Sequence, residues 1–216
     1  VTGIEHFIYK GYVLNITATI LPYEKDDFRF SHITYHLKVH YSPEEERQIK
    51  GHRLTPVAGK TYDLFVWKDL WFPVYCCFEL ASISDRSLFK NYPDLFAAVE
   101  WNKDTNYFSS IIESLCRDMH CYCIQVNSSD YGDSRILQPS ELSTRDIVKT
   151  KGGINSTILV AKVDIQKLRT FQRKEYELQK DTKIFKPTPP KFDKTIIIDK
   201  INGKLWDKLI NKNIKD

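Results

Sequence analysis

Apolar and polar positions alternate along much of this chain, and the alternation predicts its elements. Residues 13–21 form a β-branched run closed by Pro22, the pattern of a buried strand. After a charged turn at 24–27, residues 32–39 alternate as a second strand. Ser42 and Pro43 ahead of Glu44, Glu45 and Glu46 mark a helix start, with the serine as cap. Residues 61–67 and 71–77 read as strands around a Lys68-Asp69 turn, 84–89 as a short helix or loop, and 95–99 as a strand. Between 106 and 119, Phe108, Ile111, Ile112, Leu115 and Met119 recur at helical spacing and predict an amphipathic helix. Strands at 121–126, 134–137 and 157–164 and a helix over 165–179 complete the pattern. Strands alternate with helices but include hairpins, which points to an α/β sandwich with mixed sheets.

The end of the chain differs. Lys186-Pro-Thr-Pro-Pro-Lys191 is an extended proline segment, followed by a lysine-rich tail with one helical patch at 204–210. This divides the chain into a main domain over 1–180 and a linker and appendage over 181–216 that docks elsewhere. Lys180, Lys183, Lys186, Lys191 and Lys194 are a candidate contact for phosphates, although a charge run is more often a solvated face.

Composition narrows the class. With 42% hydrophobic and 28% charged residues, the chain has a globular profile. No apolar run reaches the roughly 18 residues of a membrane span, and no signal peptide is visible. An excess of 32 basic over 28 acidic side chains is too small to require a nucleic-acid partner. Cys76, Cys77, Cys116, Cys121 and Cys123 are odd in number and lack C-x-x-C spacing, so they read as free thiols of a reducing cytoplasm. The opening residue is Val1, which reads as the start of a fragment.

Three places hold candidate chemistry. Cys77 ends an apolar strand, where a sulfur projects at the sheet edge. Lys38 ends another strand and suits a developing oxyanion. The acidic run Glu44 to Glu46 could orient either. Taken singly, a strand cysteine is more often core, a strand-end lysine solvated, and a glutamate run a complement to the helix dipole.

The order of these segments resembles the nitrilase, or carbon–nitrogen hydrolase, superfamily. Tyr35-His-Leu-Lys38-Val-His40 resembles its lysine motif. Phe72 to Glu79 resembles its cysteine motif: an apolar strand, Cys77, one variable residue, then an acid. Arg117 is similar to the family's helix arginine, Asn127 to its strand-end asparagine, and Gly132 to Pro139 to its Gly-x-Ser…Pro hairpin. More narrowly, the phrases at 77–80, 100–104 and 125–134 resemble the nitrilase-like domain attached to some bacterial defence-associated reverse transcriptases; no polymerase motif is present in these residues.

The resemblance implies an α-β-β-α sandwich, here without its first strand and helix, that hydrolyses the C–N bond of an amide or nitrile. Cys77 would attack the carbon and Lys38 hold the tetrahedral intermediate, with Glu46, or failing it Glu45, as the secondary glutamate. Glu79, Asn127 and Arg117 would support the pocket. It implies no metal or organic cofactor, and a homo-oligomer. The family's general base lies on an earlier strand; Glu5 is the nearby acid ahead of the first matched strand, in surroundings unlike the family's Pro-Glu motif. Two functions follow: a cysteine amidohydrolase, or a catalytically silent scaffold module of a larger antiviral-defence reverse transcriptase. An upstream polymerase domain, and through it nucleic acid, would then be the partner.

Overall fold

The structure, a computed structural model, describes residues 1–153 and 157–213. Its first sheet is a meander of β1 (Thr2–Tyr9), β2 (Tyr12–Lys25) and β3 (Phe28–Leu37), joined after α1 (Pro43–Gly51) by β4 (Thr55–Val57), parallel to the start of β2. Asp26 and Asp27, at φ 51° and 64°, make the tight two-residue turn whose twist suits paired strands. Pro22 does not end β2. It pairs in register with Ser31, and its carbonyl accepts the Trp67 indole N–H at 2.8 Å.

The second sheet holds β5 (Leu64–Trp67), β6 (Leu70–Cys76), β7 (Leu95–Glu100), β8 (Tyr122–Asn127), β9 (Gly132–Leu137) and β10 (Asp146–Lys151) in the order β10-β9-β8-β7-β6-β5. β6, β7 and β8 run parallel, and the flanking pairs are antiparallel. Between these strands lie a 3-10 turn (Cys77–Ala81), α2 (Ile83–Arg86), α3 (Thr105–Met119) and α4 (Leu142–Arg145). β6 and β7 are almost wholly buried because both their faces are covered. Tyr75, Phe96 and Ala98 pack under α3, while Phe72, Val74, Leu95 and Ala97 pack toward Leu21 of the first sheet and Leu168 and Phe171 of α5 (Ile165–Gln172).

The first sheet is covered on one face only. Its pairing puts Ile4, Ile20, Ile33 and Tyr35 on the outer face, where they are 40–63% exposed.

Three expectations need correction. Residues 157–164 form no strand; Ile158 and Val160 are 90% and 82% exposed, and their β-branched run finds no ladder partner among the described residues. The helix expected over 165–179 is two, α5 and α6 (Tyr176–Thr182), broken near Arg173. The segment after 180 does not leave the body. Phe185 joins the inter-sheet core, and α7 (Lys194–Ile201) and α8 (Leu205–Asn213) bury Ile197 and Leu205. The fully buried Asp94 accepts from Arg169 Nε at 2.9 Å and from Lys200 Nζ at 2.8 Å, so the tail is stapled to the start of β7. Lys180, Lys186 and Lys194 are paired with Glu177, Glu141 and Glu175 and do not form an open phosphate-binding row. Among the described residues no helix is long and apolar enough to cross a membrane.

Candidate functional site

The candidate site forms where the end of β6 meets the end of β3. Cys77 follows β6 directly and has φ +48°, a left-handed conformation unusual for a residue with a Cβ. Such a conformation costs about 1–3 kcal/mol and makes a sharp strand-to-turn elbow. Glu79 holds the elbow. Its fully buried carboxylate accepts from the Cys76 N–H at 2.6 Å, the Val39 N–H at 2.6 Å and His36 Nε2 at 2.8 Å. One side chain thus fastens the turn on the second sheet to the end of β3 on the first.

Lys38 lies two residues after His36 and shares its inward face. It is 3% exposed, and its Nζ donates to Glu45 Oε2 at 2.5 Å. Glu45 reaches back because it closes a capping box on α1: its own N–H donates to Ser42 Oγ at 3.2 Å while its carboxylate accepts from the Ser42 N–H. Asn15 Nδ2 at 2.7 Å and His6 Nε2 at 3.0 Å complete its shell. Burial works against ionisation of Glu45, but the His6 hydrogen bond, the Lys38 ammonium and Asn15 together hold its carboxyl at about 2. Burial also opposes the charge on Lys38, and the Cys76 thiol, Glu45 and the Cys77 thiol outweigh it and raise its pKa. Glu46 takes no part in this cluster. One position further round the helix, it faces solvent and pairs with Lys50 at 2.7 Å, so Glu45 is the glutamate that meets the lysine.

The two adjacent thiols differ. Cys76 is buried with its sulfur toward Asn15, and burial pushes its pKa up to about 12. Cys77 is half-buried. Burial raises its pKa too, Lys38 and the Trp101 backbone N–H pull it down, and Glu100 and Glu45 push it up.

Asn127, at the end of β8, positions the loop that carries Trp101. Its Nδ2 donates to the Asn102 and Gly132 carbonyls at 2.8 and 2.9 Å, and its Oδ1 accepts the Asn102 N–H at 2.9 Å. Gly132 is required there: at φ +74° it lies so close to Gly152 that a Cβ would sit 1.9 Å from the Gly152 nitrogen. Among the described residues no cluster of three or more His, Cys, Asp or Glu side chains is arranged to hold a metal.

No family model and no curated protein matches the chain. Solved structures do. A cysteine-to-serine variant of an amidase from Nesterenkonia, of the nitrilase superfamily, aligns with a TM-score of 0.50 at 13% identity, over 78% of this chain and 68% of that one. The fold is nitrilase-like. A carbon–nitrogen hydrolase superfamily protein from Xanthomonas campestris, solved with an arsenic adduct in its active site, gives 0.49 at 13% identity. That likeness covers 71% of this chain, which spans 58% of the Xanthomonas protein's length.

Within this fold Arg117 stands apart from the site, exposed on α3. A buried arginine nearer the strand ends is Arg135 of β9, whose Nε donates to Gln125 Oε1 at 3.0 Å and whose guanidinium also meets Glu113 at 2.9 Å. Gln125 Nε2 in turn donates to both oxygens of Glu100, at 3.0 and 3.1 Å. His36, Asn15, Glu100, Gln125 and Arg135 escaped the sequence reading. The spacing of His36 and Lys38 and the Ser42-x-x-Glu45 cap were readable signals; nothing local marks Arg135. Glu5 falls in β1, and its side chain lies outside the described ones.

Proposed function

We propose that this chain is a cysteine hydrolase of a C–N bond in a small amide or nitrile. Cys77 is the nucleophile, and Lys38 with the Trp101 N–H stabilises the oxyanion. Glu45 keeps Lys38 charged and oriented, and Glu79 and Asn127 position the turn and the loop. For an amide, the Cys77 thiolate attacks the carbonyl carbon and the oxygen takes the negative charge beside Lys38. The C–N bond breaks, the protonated nitrogen leaves, and water hydrolyses the thioester to a carboxylic acid and free Cys77. The observation that carries this reading is the left-handed Cys77 elbow beside a buried lysine whose charge is compensated by Glu45. The test is hydrolysis of a panel of short aliphatic amides by wild type and Cys77→Ala. Ammonia release that disappears in Cys77→Ala supports it; equal release in both overturns it.

A second reading is favoured by the uncovered apolar face of the first sheet. A surface of Ile4, Ile20, Ile33 and Tyr35 suits burial against a second copy of the chain, and supports an assembly role with or without hydrolysis. A monomer by light scattering at micromolar concentration would exclude it. Attachment to a polymerase domain of a defence-associated reverse transcriptase, and contact with nucleic acid through it, remains a proposal supported by the phrases at 77–80, 100–104 and 125–134.

A further inference from the structure

Among the described residues, three carboxylates act on the Cys77 turn, and two are already committed. Glu45 is held ionised by Lys38, Asn15 and His6. Glu79 spends its oxygens on three donors that hold the turn together. Glu100 is different. The parallel register of β6 and β7 pairs Cys76 with Val99, so Cys77 and Glu100 come next, side by side at the carboxyl ends of adjacent strands. Strands so paired lie about 4.8 Å apart, within reach of a side chain or of one bridging water. The residue after Glu100 supplies the N–H that acts on the Cys77 sulfur.

We propose that Glu100 is the proton acceptor for the Cys77 thiol. This rests on the hydrolase reading above and gives the role of base to a residue other than the earlier-strand glutamate that the family resemblance implies. The Glu100 carboxylate takes the S–H proton as sulfur attacks the carbonyl carbon. It returns that proton to the nitrogen as the C–N bond breaks. It then takes a proton from water as the hydroxyl adds to the thioester, and gives it back to the departing sulfur.

The surroundings of Glu100 suit this work. Burial raises its carboxyl to about 7, against the Gln125 hydrogen bonds and the Arg135 charge, with Asp133 pushing the same way as burial. Its direct donor is a neutral amide, and Arg135 acts through Gln125, so no ion pair locks it in one state. The groups that face it are Gln125 from β8, Arg135 and Asp133 from β9 and Cys77 from the 3-10 turn.

The test is the pH dependence of Cys77 alkylation by iodoacetamide in the full chain, with the labelled residue assigned by tandem mass spectrometry. A shared proton gives a two-step profile, because the pair titrates as a unit. Wild type should show an inflection near pH 7, then a plateau and a second rise; Glu100→Gln should show one alkaline step. Glu100→Asp, which keeps a carboxylate, should keep two steps even if Glu100→Gln folds poorly. A single step in wild type, or the same profile in wild type and Glu100→Gln, overturns the proposal. Amide turnover is a separate readout, expected to fall about 100-fold or more in Glu100→Gln. A two-step profile without turnover in wild type would leave the Cys77–Glu100 pair standing and sink the hydrolase reading. Turnover with one alkaline step would do the reverse.

Discussion

Replacing Glu79 by glutamine should loosen the site and the fold together. The carboxylate is fully buried and accepts three hydrogen bonds of 2.6–2.8 Å, two of them from backbone N–H groups on different sheets. Glutamine has the same shape but one acceptor oxygen. Its NH2 must face either the Cys76 N–H or the Val39 N–H and His36 pair, leaving donor against donor. Bonds to a buried charged group are worth about 1.5–3 kcal/mol each, and an unsatisfied buried donor adds a penalty of about 1–3 kcal/mol. With some relaxation, Glu79→Gln should lose about 2–4 kcal/mol, a fall in Tm of roughly 5–15 °C for a domain of this size. Urea unfolding followed by circular dichroism measures it, with the same m-value expected for both proteins. Glu46→Gln, on the solvent face of α1, is the control and should stay within about 0.5 kcal/mol of wild type. A Glu79→Gln loss below about 1 kcal/mol would refute the idea that this carboxylate fastens the two sheets at the elbow.

Glu45 titrates at about 2 in the fold, below its ordinary 4.5, so its stabilisation is complete above about pH 5 and lost as pH falls through 2. The urea midpoints of wild type and Glu45→Gln should therefore converge over that range. Glu100 has the opposite sign. Its folded carboxyl stays protonated to about 7, so its contribution is full below pH 4.5 and is lost as pH rises through 7. Glu100→Gln should accordingly be more stable than wild type at pH 8, by urea midpoint, while its amide turnover falls. Lys200→Met removes one of the two cations that meet Asp94 and leaves the Tyr92 carbonyl without its donor, so it should cost about 3 kcal/mol by the same assay.

Periodicity made the buried elements legible. β6, β7 and α3 were readable because each presents apolar residues at the spacing its covered faces require. The same reasoning failed at 157–164, where a β-branched run marks a strand only if a ladder edge is free to receive it. It failed for the tail because a proline-rich, lysine-rich stretch reads as solvated, whereas Phe185, Ile197 and Lys200 carry the contacts that bury it. The site divides along similar lines. Lys38, Cys77 and Asn127 fall at or just past strand ends that the fold brings to one rim, and Glu79 follows in the 3-10 turn after β6. Glu45 displaced Glu46 through a capping geometry that the Ser42 spacing encodes. Arg135 is buried and Arg117 is not for a reason no local pattern carries: the arginine on β9 faces the buried amide and the one on α3 faces water.

The staple at Asp94 has a consequence for synthesis. Its two cationic partners, Arg169 and Lys200, lie 75 and 106 residues further along the chain. Until the ribosome has made Arg169, β6, β7 and α3 already exist, yet Asp94 is a carboxylate that cannot be buried without an uncompensated charge. The nascent chain must therefore hold the start of β7 open to water until α5 emerges, so the inter-sheet core closes late and by a long-range contact. A pause in translation ahead of α5 would prolong a state with Phe72 and Leu95 exposed, the point in the life of this protein at which a chaperone has most to bind.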